Sequence, residues 1–405
     1  MRLEDYWGVG PKTADLLASE LGVERAVEAI ESADGRALVD AGLSRGRATR
    51  ILRHAGGGEG MAVLATRDAR DVYKSLVELA AGHALTDAAA DRVRVLTPLR
   101  SREAMEARLD EVLEAVDSWR GLDGPTRRAV EAAYDEYGTG GERAAVETAM
   151  ALQDAGVEGG VFAGVAALDR DTLAGAAEAL SAFDGDAVAE GVDDRLDDLR
   201  ATLAAVEELE LDPAATLEAV RSEGVGRTEE FREMFLRYVT DETGASAGDV
   251  RESMPADAVD AADFVAATLR ELSADYRERV ADREEQVEEE LRETVEGSRE
   301  TVEAAVEATE TVALRCSLAR FAIAYDLVRP DIVADRDVLA VRGARNLDLV
   351  AGDASVQPVD YAVGDHGLDG LPSGDRVAVL TGANSGGKTT LLETLCSVAL
   401  LAHMG

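Results

Sequence analysis

The spacing of apolar residues changes twice along the chain and divides it into three segments. Residues 1–55 are predicted to form short helices separated by glycine-rich turns, and GGGEG at 56–60 predicts a flexible break. Residues 61–330 are rich in Ala, Leu, Val, Glu and Arg, a composition typical of helices. After Pro330, short runs alternate apolar and polar residues between Gly, Asp and Pro, which predicts strands. We therefore expect a mostly α, multidomain protein with an α/β segment after residue 330.

Three strands and one helix are predicted in this last segment. The strands are VLAVRGARN (338–346), VQPVDYAV (356–363) and RVAVL (376–380), and we expect the third to be buried. The sequence TTLLETLCSVALLAHM (389–404) then carries apolar residues at helical spacing.

Composition sets wide bounds on the fold and the compartment. With 405 residues and 46% hydrophobic content, the chain is long enough for two to four domains. It has no run of 18 uncharged apolar residues, so we expect no membrane span, and its acidic N-terminus is unlike a secretory signal. Two distant cysteines and four histidines without metal-ligand spacing indicate a reducing cytoplasm, with no disulfide framework or structural zinc.

The charge balance is extreme, because 42 basic and 81 acidic residues give a net charge of −39. The acids are spread over the whole chain rather than gathered in a linker or tail. We therefore expect a cytoplasmic protein of a halophilic prokaryote, of archaeal type, since high net charge keeps a chain soluble when molar salt shrinks the Debye length to about 3 Å. The same screening weakens the usual argument that an acidic protein does not bind nucleic acid.

Residues Gly382–Thr389 match the phosphate-loop pattern G-x-x-x-x-G-K-[ST], between a predicted strand and a predicted helix. Glycines let the backbone approach phosphates, and the helix N-terminus adds partial positive charge. We expect Lys388 on the β- and γ-phosphates of ATP and the Thr389 hydroxyl on Mg²⁺. A chance match in a glycine-rich turn is the alternative, but both flanks fit the motif. The predicted cofactor-binding residues are Gly382, Ala383, Asn384, Ser385, Gly386, Gly387, Lys388, Thr389 and Thr390.

The residues after this loop contain neither a strand ending in a Walker-B acid nor a signature motif. We therefore predict no catalytic residue within this chain and expect ATPase activity only of a complete protein. Truncation, of the gene or of the sequence, is the simplest explanation for a phosphate loop so close to Gly405.

Two stretches near the N-terminus share a second pattern. Tyr6–Leu17 contains G-h-G-P-K-T-A, and Ala41–Leu52 is a weaker copy about 34 residues later. Both resemble the helix-hairpin-helix DNA-binding motif, which occurs in pairs in repair proteins. Such a turn brings backbone amides at a helix start close to a DNA phosphate, so it contacts the backbone rather than the base sequence. The predicted DNA-binding residues are Gly8, Gly10, Lys12 and Thr13 in the first copy and Gly42, Arg45 and Arg47 in the second.

Ser44 replaces the second glycine of the pattern in the second copy, which weakens the prediction there. An ordinary helix–turn–helix packing unit without a ligand is the alternative interpretation of both copies.

The sequence LARFAIAYDLVRPDIV (318–333), the following strands and the phosphate loop resemble the MutS family, in which a long lever helix leads into an ABC-type ATPase domain. Asp71–Val116 resembles the start of the lever domain in the second MutS subfamily, which lacks the mismatch-reading domain. The resemblance implies a homodimer through the lever and ATPase domains that encircles DNA in repair or recombination control. With the hairpin pair, it implies three domains: helix-hairpin-helix at 1–57, helical core, lever and clamp at 61–330, and the first part of an ATPase domain at 331–405.

Two departures from the family pattern matter. The Phe-x-Glu of mismatch-reading members is spelled by Phe231–Glu233, but Phe231, Phe235 and Val239 recur every four residues and are predicted to form a helix core. The usual G-R-H-P appears as Gly343–Asn346, so the contact with adenine is not predicted.

The absence of proline between Pro255 and Pro330 allows one long helix. A coiled-coil stripe is formed there by Tyr276, Val280, Val287, Leu291, Val295, Val302 and Val306. It is either a clamp arm that contacts DNA or a lever face that packs on a partner helix. Fourteen acidic residues against five arginines between Asp275 and Glu310 favour packing.

Two other functions remain open at this point. The protein could be a non-enzymatic DNA-binding adaptor with a relic phosphate loop, or a structural ATPase of the chromosome-maintenance type, although such proteins normally carry their phosphate loop near the N-terminus. We also expect an isolated 331–405 fragment to aggregate, because missing strands would leave apolar edges uncovered.

Overall fold

The computed structural model describes residues 2–55, 60–138, 140–184, 187–222, 228–352, 355–381 and 387–405. The chain forms two compact units. The first comprises Met1–Leu173 and Glu300–Gly405, and the second comprises Ala174–Arg299. The protein is mostly helical, as predicted, whereas the three domains at 1–57, 61–330 and 331–405 remain a prediction.

The first 55 residues form the short helices that the sequence predicts. They are α1 (Pro11–Glu20), α2 (Val23–Glu31), α3 (Gly35–Asp40) and α4 (Arg45–Ala55), preceded by a single 3₁₀ turn at Leu3–Asp5. Their shared core contains Leu17, Ile30, Leu38 and Ile51, all at most 1% exposed. We call residues 1–55 the hairpin region.

Longer helices follow, and polar caps set where they begin. Thr66, Thr86 and Ser101 each accept a hydrogen bond from an amide in the first turn of the next helix, which satisfies a donor that the helix itself cannot. The helices are α5 (Arg67–Ala81), α6 (Asp87–Val95), α7 (Arg102–Gly121), α8 (Gly124–Glu136), α9 (Glu142–Asp154), α10 (Ala163–Ala166) and α11 (Arg170–Ser181), with 3₁₀ turns at Gly60–Val63 and Gly160–Phe162.

The second unit is a small helical assembly with one two-stranded hairpin. Its strands β1 (Phe183–Asp184) and β2 (Ala187–Val188) pair antiparallel. Its helices are α12 (Asp194–Leu211), α13 (Pro213–Ser222), α14 (Thr228–Thr243), α15 (Ala247–Glu252) and α16 (Ala261–Gly297).

The long helical stretch is two helices rather than one, because α16 ends at Gly297 and α17 (Arg299–Ala324) begins after Ser298. Glycine at position 297 weakens the helix there, and Ser298 caps α16, with its amide and its hydroxyl both donating to the Thr294 carbonyl. In α16 the apolar stripe packs on α12, with Val287 against Leu196 and Tyr276 in one cluster with Val206. These contacts support the packing interpretation of this part of the stripe.

The C-terminal segment contains two of its three predicted strands and the predicted helix. Strand β3 (Leu339–Ala344) pairs antiparallel with β4 (Val359–Val363), and Leu339 lies opposite Val363. Helix α18 (Leu347–Ala351) lies between these strands in sequence, and α19 (Lys388–Met404) follows the phosphate loop.

The third predicted strand, Arg376–Leu380, is wrong. These residues are extended chain outside any ladder, and Val377 and Val379 are 79% and 80% exposed rather than buried. A strand requires a neighbour to hydrogen-bond its backbone. Among the described residues the β3–β4 ladder extends only to an isolated bridge between Gly364 and Asp375, so nothing pairs with the apolar run that follows.

Helix α19 is nevertheless well anchored at its C-terminal end. Leu400 and Met404 share an apolar cluster with Tyr73 of α5 and Phe321 of α17. The Leu99 amide donates to the His403 carbonyl at 2.7 Å, and Arg108 donates to the Met404 carbonyl. Within the described ranges, no helix combines the length and apolar character that a membrane crossing needs.

Candidate nucleic-acid interface and phosphate loop

The first hairpin turn consists of Gly8, Val9 and Gly10 in front of α1. Gly8 has φ +83°, a conformation that favours glycine, and Val9 is buried in the region's core. Gly10 caps the helix, and Lys12 is exposed in its first turn. The amides of Gly10 and Lys12 donate to no atom of the described residues, as expected where a helix begins.

The second turn repeats this arrangement 34 residues later. Gly42 has φ +94°, Leu43 is buried like Val9, and α4 begins directly after Ser44. The replacement of glycine by Ser44 is sterically acceptable, because the equivalent Gly10 has an ordinary φ of −87° and open space around an added Cβ. The structure therefore removes the backbone argument against the second copy.

The two copies pack reciprocally on each other. A Cβ added to Gly8 would lie 3.4 Å from Ile51 of α4, and one added to Gly42 would lie 3.7 Å from Leu16 of α1. Ile51 is equivalent to Leu17, the neighbour of Leu16, so the two contacts are nearly reciprocal, as expected of an approximate two-fold relation.

Two of the predicted DNA-binding residues also bind each other. Arg47 donates from Nη2 to the hydroxyl of Thr13 at 2.5 Å, and these are equivalent positions of the two copies. Thr13 is only 2% exposed, so its hydroxyl, which accepts this bond, could reach a phosphate only after a local rearrangement. Arg45, Arg47 and both turn glycines are exposed, which leaves them accessible to a ligand.

Charge separates the hairpin region from the remainder of the chain. It contains eight basic and nine acidic residues, whereas residues 56–405 contain 34 basic and 72 acidic residues. Helix α4 carries four arginines, one histidine and no acid. The near-neutral region with a basic helix is thus repelled by a polyanion less strongly than the remainder of the chain taken as a whole.

An exposed aromatic pair lies beside the first turn, and the sequence reasoning did not find it. Trp7 immediately precedes Gly8 and is 57% exposed. Its ring stacks on His54 near the end of α4, with ring centroids 3.6 Å apart and planes inclined by 22°. The only local signal was a tryptophan, one of two in the chain, directly before the glycine turn.

Side-chain contacts also fix the hairpin region to the helices that follow. Arg53 donates from Nε and Nη2 to the Arg94 carbonyl at 3.0 and 2.8 Å, and its guanidinium lies 5.0 Å from the ring centre of Tyr73.

Within the region, the Tyr6 hydroxyl donates to Glu31 Oε1 at 2.6 Å. Burial, followed by this hydrogen bond, raises the pKa of Tyr6 to about 12.

The phosphate loop is only partly described. Five of the predicted ATP-binding residues lie outside the described residues, namely Gly382, Ala383, Asn384, Ser385 and Gly386.

The remaining four predicted residues lie at the start of α19. Gly387 precedes the helix in the left-handed conformation, with φ 74° and ψ 13°. Lys388 and Thr390 are half-buried, and Thr389 is exposed in the first helical turn. A glycine turn at a helix start, followed by Lys and Thr, fits a triphosphate with Mg²⁺. The unpaired Arg376–Leu380 segment does not provide the buried strand that this motif normally follows.

Family-related positions elsewhere have structural roles. Asn346 is buried and accepts a hydrogen bond from the Leu349 amide as the N-cap of α18, while Arg345 donates to the Tyr325 carbonyl. Phe231 packs against Phe235 and Phe264, with ring centroids 6.3 and 6.2 Å apart, and Phe235 is fully buried. These contacts confirm the helix-core interpretation of Phe231.

No family model matches the chain. Among curated proteins, it is similar to the DNA-binding protein MutS2 of Pyrococcus furiosus, with 42% identity over 82 residues. The match covers 20% of this chain and 13% of that relative. It therefore supports a link to the MutS family over a short stretch of both proteins.

Proposed function

We propose that this protein is a MutS-like DNA-binding protein that holds the backbone of duplex or branched DNA through its hairpin region, in repair or recombination control. The observation that carries the proposal is the pair of equivalent glycine turns at the starts of α1 and α4. The glycines of each turn are exposed, and the amides of Gly10 and Lys12 have no protein acceptor among the described residues. The similarity to a MutS2 described as DNA-binding supports the same function.

The geometry suits phosphate binding better than base reading. Backbone amides and the positive end of a helix dipole attract any phosphate, whatever the base attached to it. Arg45, Arg47 and Lys12 add charge beside these amides. The predicted contact is therefore strong in electrostatic terms and independent of sequence.

The repeat allows a paired test of this contact. Gly46 occupies the position equivalent to Lys12, and a Cβ added there meets nothing within 4 Å. The slope of log K against log salt concentration is negative; Lys12→Ala should reduce its magnitude by about 1, and Gly46→Lys should increase its magnitude by about 1. Fluorescence anisotropy with a labelled duplex, across a potassium chloride series, measures both slopes.

Lys74→Ala provides the matched control, since Lys74 is an exposed lysine outside the hairpin region that pairs with Asp71. Its binding slope should equal that of the unchanged protein. Equal losses in Lys12→Ala and Lys74→Ala, or no DNA binding by the unchanged protein, would overturn the proposal.

We further propose that the loop at 382–390 binds ATP with Mg²⁺ and that the protein acts as a homodimer. Lys388 would hold the β- and γ-phosphates and the Thr389 hydroxyl would hold the metal. When bound, ATP supplies an interaction that can favour one DNA-bound state, provided that it binds this state more tightly.

Lys388→Ala should abolish binding of a fluorescent ATP analogue while leaving helical content unchanged, and unchanged affinity would refute the site. Sedimentation of the intact chain tests the dimer.

A non-enzymatic adaptor is the second candidate, and the exposed Arg376–Leu380 segment favours it. Without a paired strand in front, the phosphate loop lacks part of its usual support. This candidate predicts the same DNA affinity with and without ATP and Mg²⁺. A change in DNA affinity on adding ATP, lost in Lys388→Ala, would exclude it.

A further inference from the structure

We propose that the stacked pair Trp7–His54 is a platform for an unpaired DNA base next to a phosphate held by the first hairpin turn. This inference rests on the proposed DNA binding and specifies which DNA is preferred. It predicts that the protein favours DNA with unpaired bases, such as gaps, overhangs or branch points, over fully paired duplex.

The Trp7 ring has an open face. His54 covers one face at 3.6 Å, yet 57% of Trp7 remains exposed. A tryptophan with one face covered retains this much exposure only if the opposite face and edge reach solvent. The other tryptophan, Trp119, is 5% exposed and belongs to the protein interior.

The pair is also held in place before any ligand arrives. Trp7 is joined directly to Gly8, whose turn packs on Ile51, and His54 lies one turn further along the same helix α4. Both rings are thus attached to the fully buried core of the hairpin region. A fixed aromatic surface loses little conformational freedom when a flat ligand stacks on it.

The neighbourhood points to a base rather than to another apolar surface. Trp7 lies three residues before Gly10, whose amide has no acceptor among the described residues, and it contacts the helix that carries four arginines. In a nucleotide, the phosphate and the base are a short distance apart. The phosphate can therefore bind the amides while the base stacks on the indole. Bases inside a duplex are already stacked on their neighbours, so only an unpaired base can present its face.

The test uses the full chain and two labelled DNAs of equal length, one a blunt duplex and the other a duplex with a single-stranded overhang. We expect the unchanged protein to bind the overhang DNA more tightly. Trp7→Ala should weaken binding to the overhang DNA by roughly 5- to 150-fold and leave duplex binding within about two-fold, since base–aromatic stacking has this magnitude. Trp7→Phe should retain part of the preference because it keeps an aromatic face.

Val23→Ala is the matched control, because Val23 is a 49% exposed apolar residue of the same region at the start of α2. It should leave both affinities unchanged. Circular dichroism melting of each variant checks that the hairpin region remains folded.

The outcomes separate this inference from the function on which it rests. Equal weakening for both DNAs, or no effect of Trp7→Ala while Lys12→Ala weakens both, would overturn the platform and leave backbone binding standing. A change in oligomeric state without a change in DNA affinity would assign Trp7 to a protein interface and also overturn it. Failure of the unchanged protein to bind either DNA would remove the proposed function itself.

Discussion

Near each end of the chain, a helix that follows a glycine carries a lysine and a threonine in its first turn, although Gly10 has an ordinary φ of −87° and Gly387 is left-handed with φ 74°. At the N-terminal end, the turn before α1 rests on Val9, Leu17 and Ile51, which come from within 55 residues and are almost fully buried. At the C-terminal end, the run Arg376–Leu380 is exposed, and the buried side chains of α19 begin only at Thr394. The two sites therefore differ in where their structural support comes from.

The difference shows that a short sequence motif does not specify the structure that supports it. The hairpin region completes its own core through a second copy of the same unit. A phosphate loop instead needs a strand held by neighbouring strands, and such ladders join residues distant in sequence. We therefore expect substitutions in the hairpin region to change stability through local packing. Substitutions in the exposed run before the phosphate loop should change stability little.

The largest difference should come from core truncation. Leu17→Ala removes a fully buried side chain and should lower the free energy of unfolding by about 2–5 kcal/mol, whereas Val379→Ala should change it by less than about 0.5 kcal/mol. Urea denaturation followed by circular dichroism measures both. A large loss in Val379→Ala would mean that this segment is buried in the folded protein and would remove the contrast.

A smaller effect is expected at the contact that joins the hairpin region to α6. Arg53→Met removes two hydrogen bonds to the Arg94 carbonyl and the contact with Tyr73, which should cost about 2 kcal/mol. The hairpin region should then unfold in a separate, earlier transition. Arg50→Met is the control, since exposed Arg50 donates to the Gly46 carbonyl of its own helix and to no other residue that the structure describes. A single transition in both variants would contradict an anchoring role for Arg53.

The smallest effect should appear as a pH dependence confined to the hairpin region. The pKa of Tyr6 is raised from 10.0 to about 12, so its protonated form is the one that the folded state stabilises. This contribution is complete below pH 10 and is lost as the pH rises toward 12. Tyr6→Phe should flatten the stability of the region across this window, as followed by Trp7 fluorescence. An unchanged slope in Tyr6→Phe would assign the dependence to other groups.

The sequence was sufficient for features that depend on near neighbours. The helices of residues 1–55, the helical middle, strands β3 and β4 and helix α19 all follow from periodicity and turn residues. The helix-core role of Phe231 followed from its four-residue spacing with Phe235.

Features that depend on distant partners could not be predicted in this way. Arg376–Leu380 has a strand pattern, but a pattern does not reveal whether a pairing strand exists. The stack of Trp7 on His54 and the bonds from Arg53 to Arg94 join residues 47 and 41 positions apart, which periodicity does not connect. The break at Ser298 lies directly after Gly297, and the absence of proline did not reveal it.

The reciprocal packing of the two hairpin copies has a consequence for the polarity of the proposed contact. The strands of duplex DNA run in opposite directions and are themselves related by two-fold axes. A pair of equivalent turns with the same kind of axis would offer one turn to each strand, and rotation of the duplex by half a turn would leave the contact unchanged. The hairpin region alone would then bind a duplex equally well in either direction. Any directionality would have to come from an asymmetric element such as Trp7, which has no aromatic counterpart at Ala41.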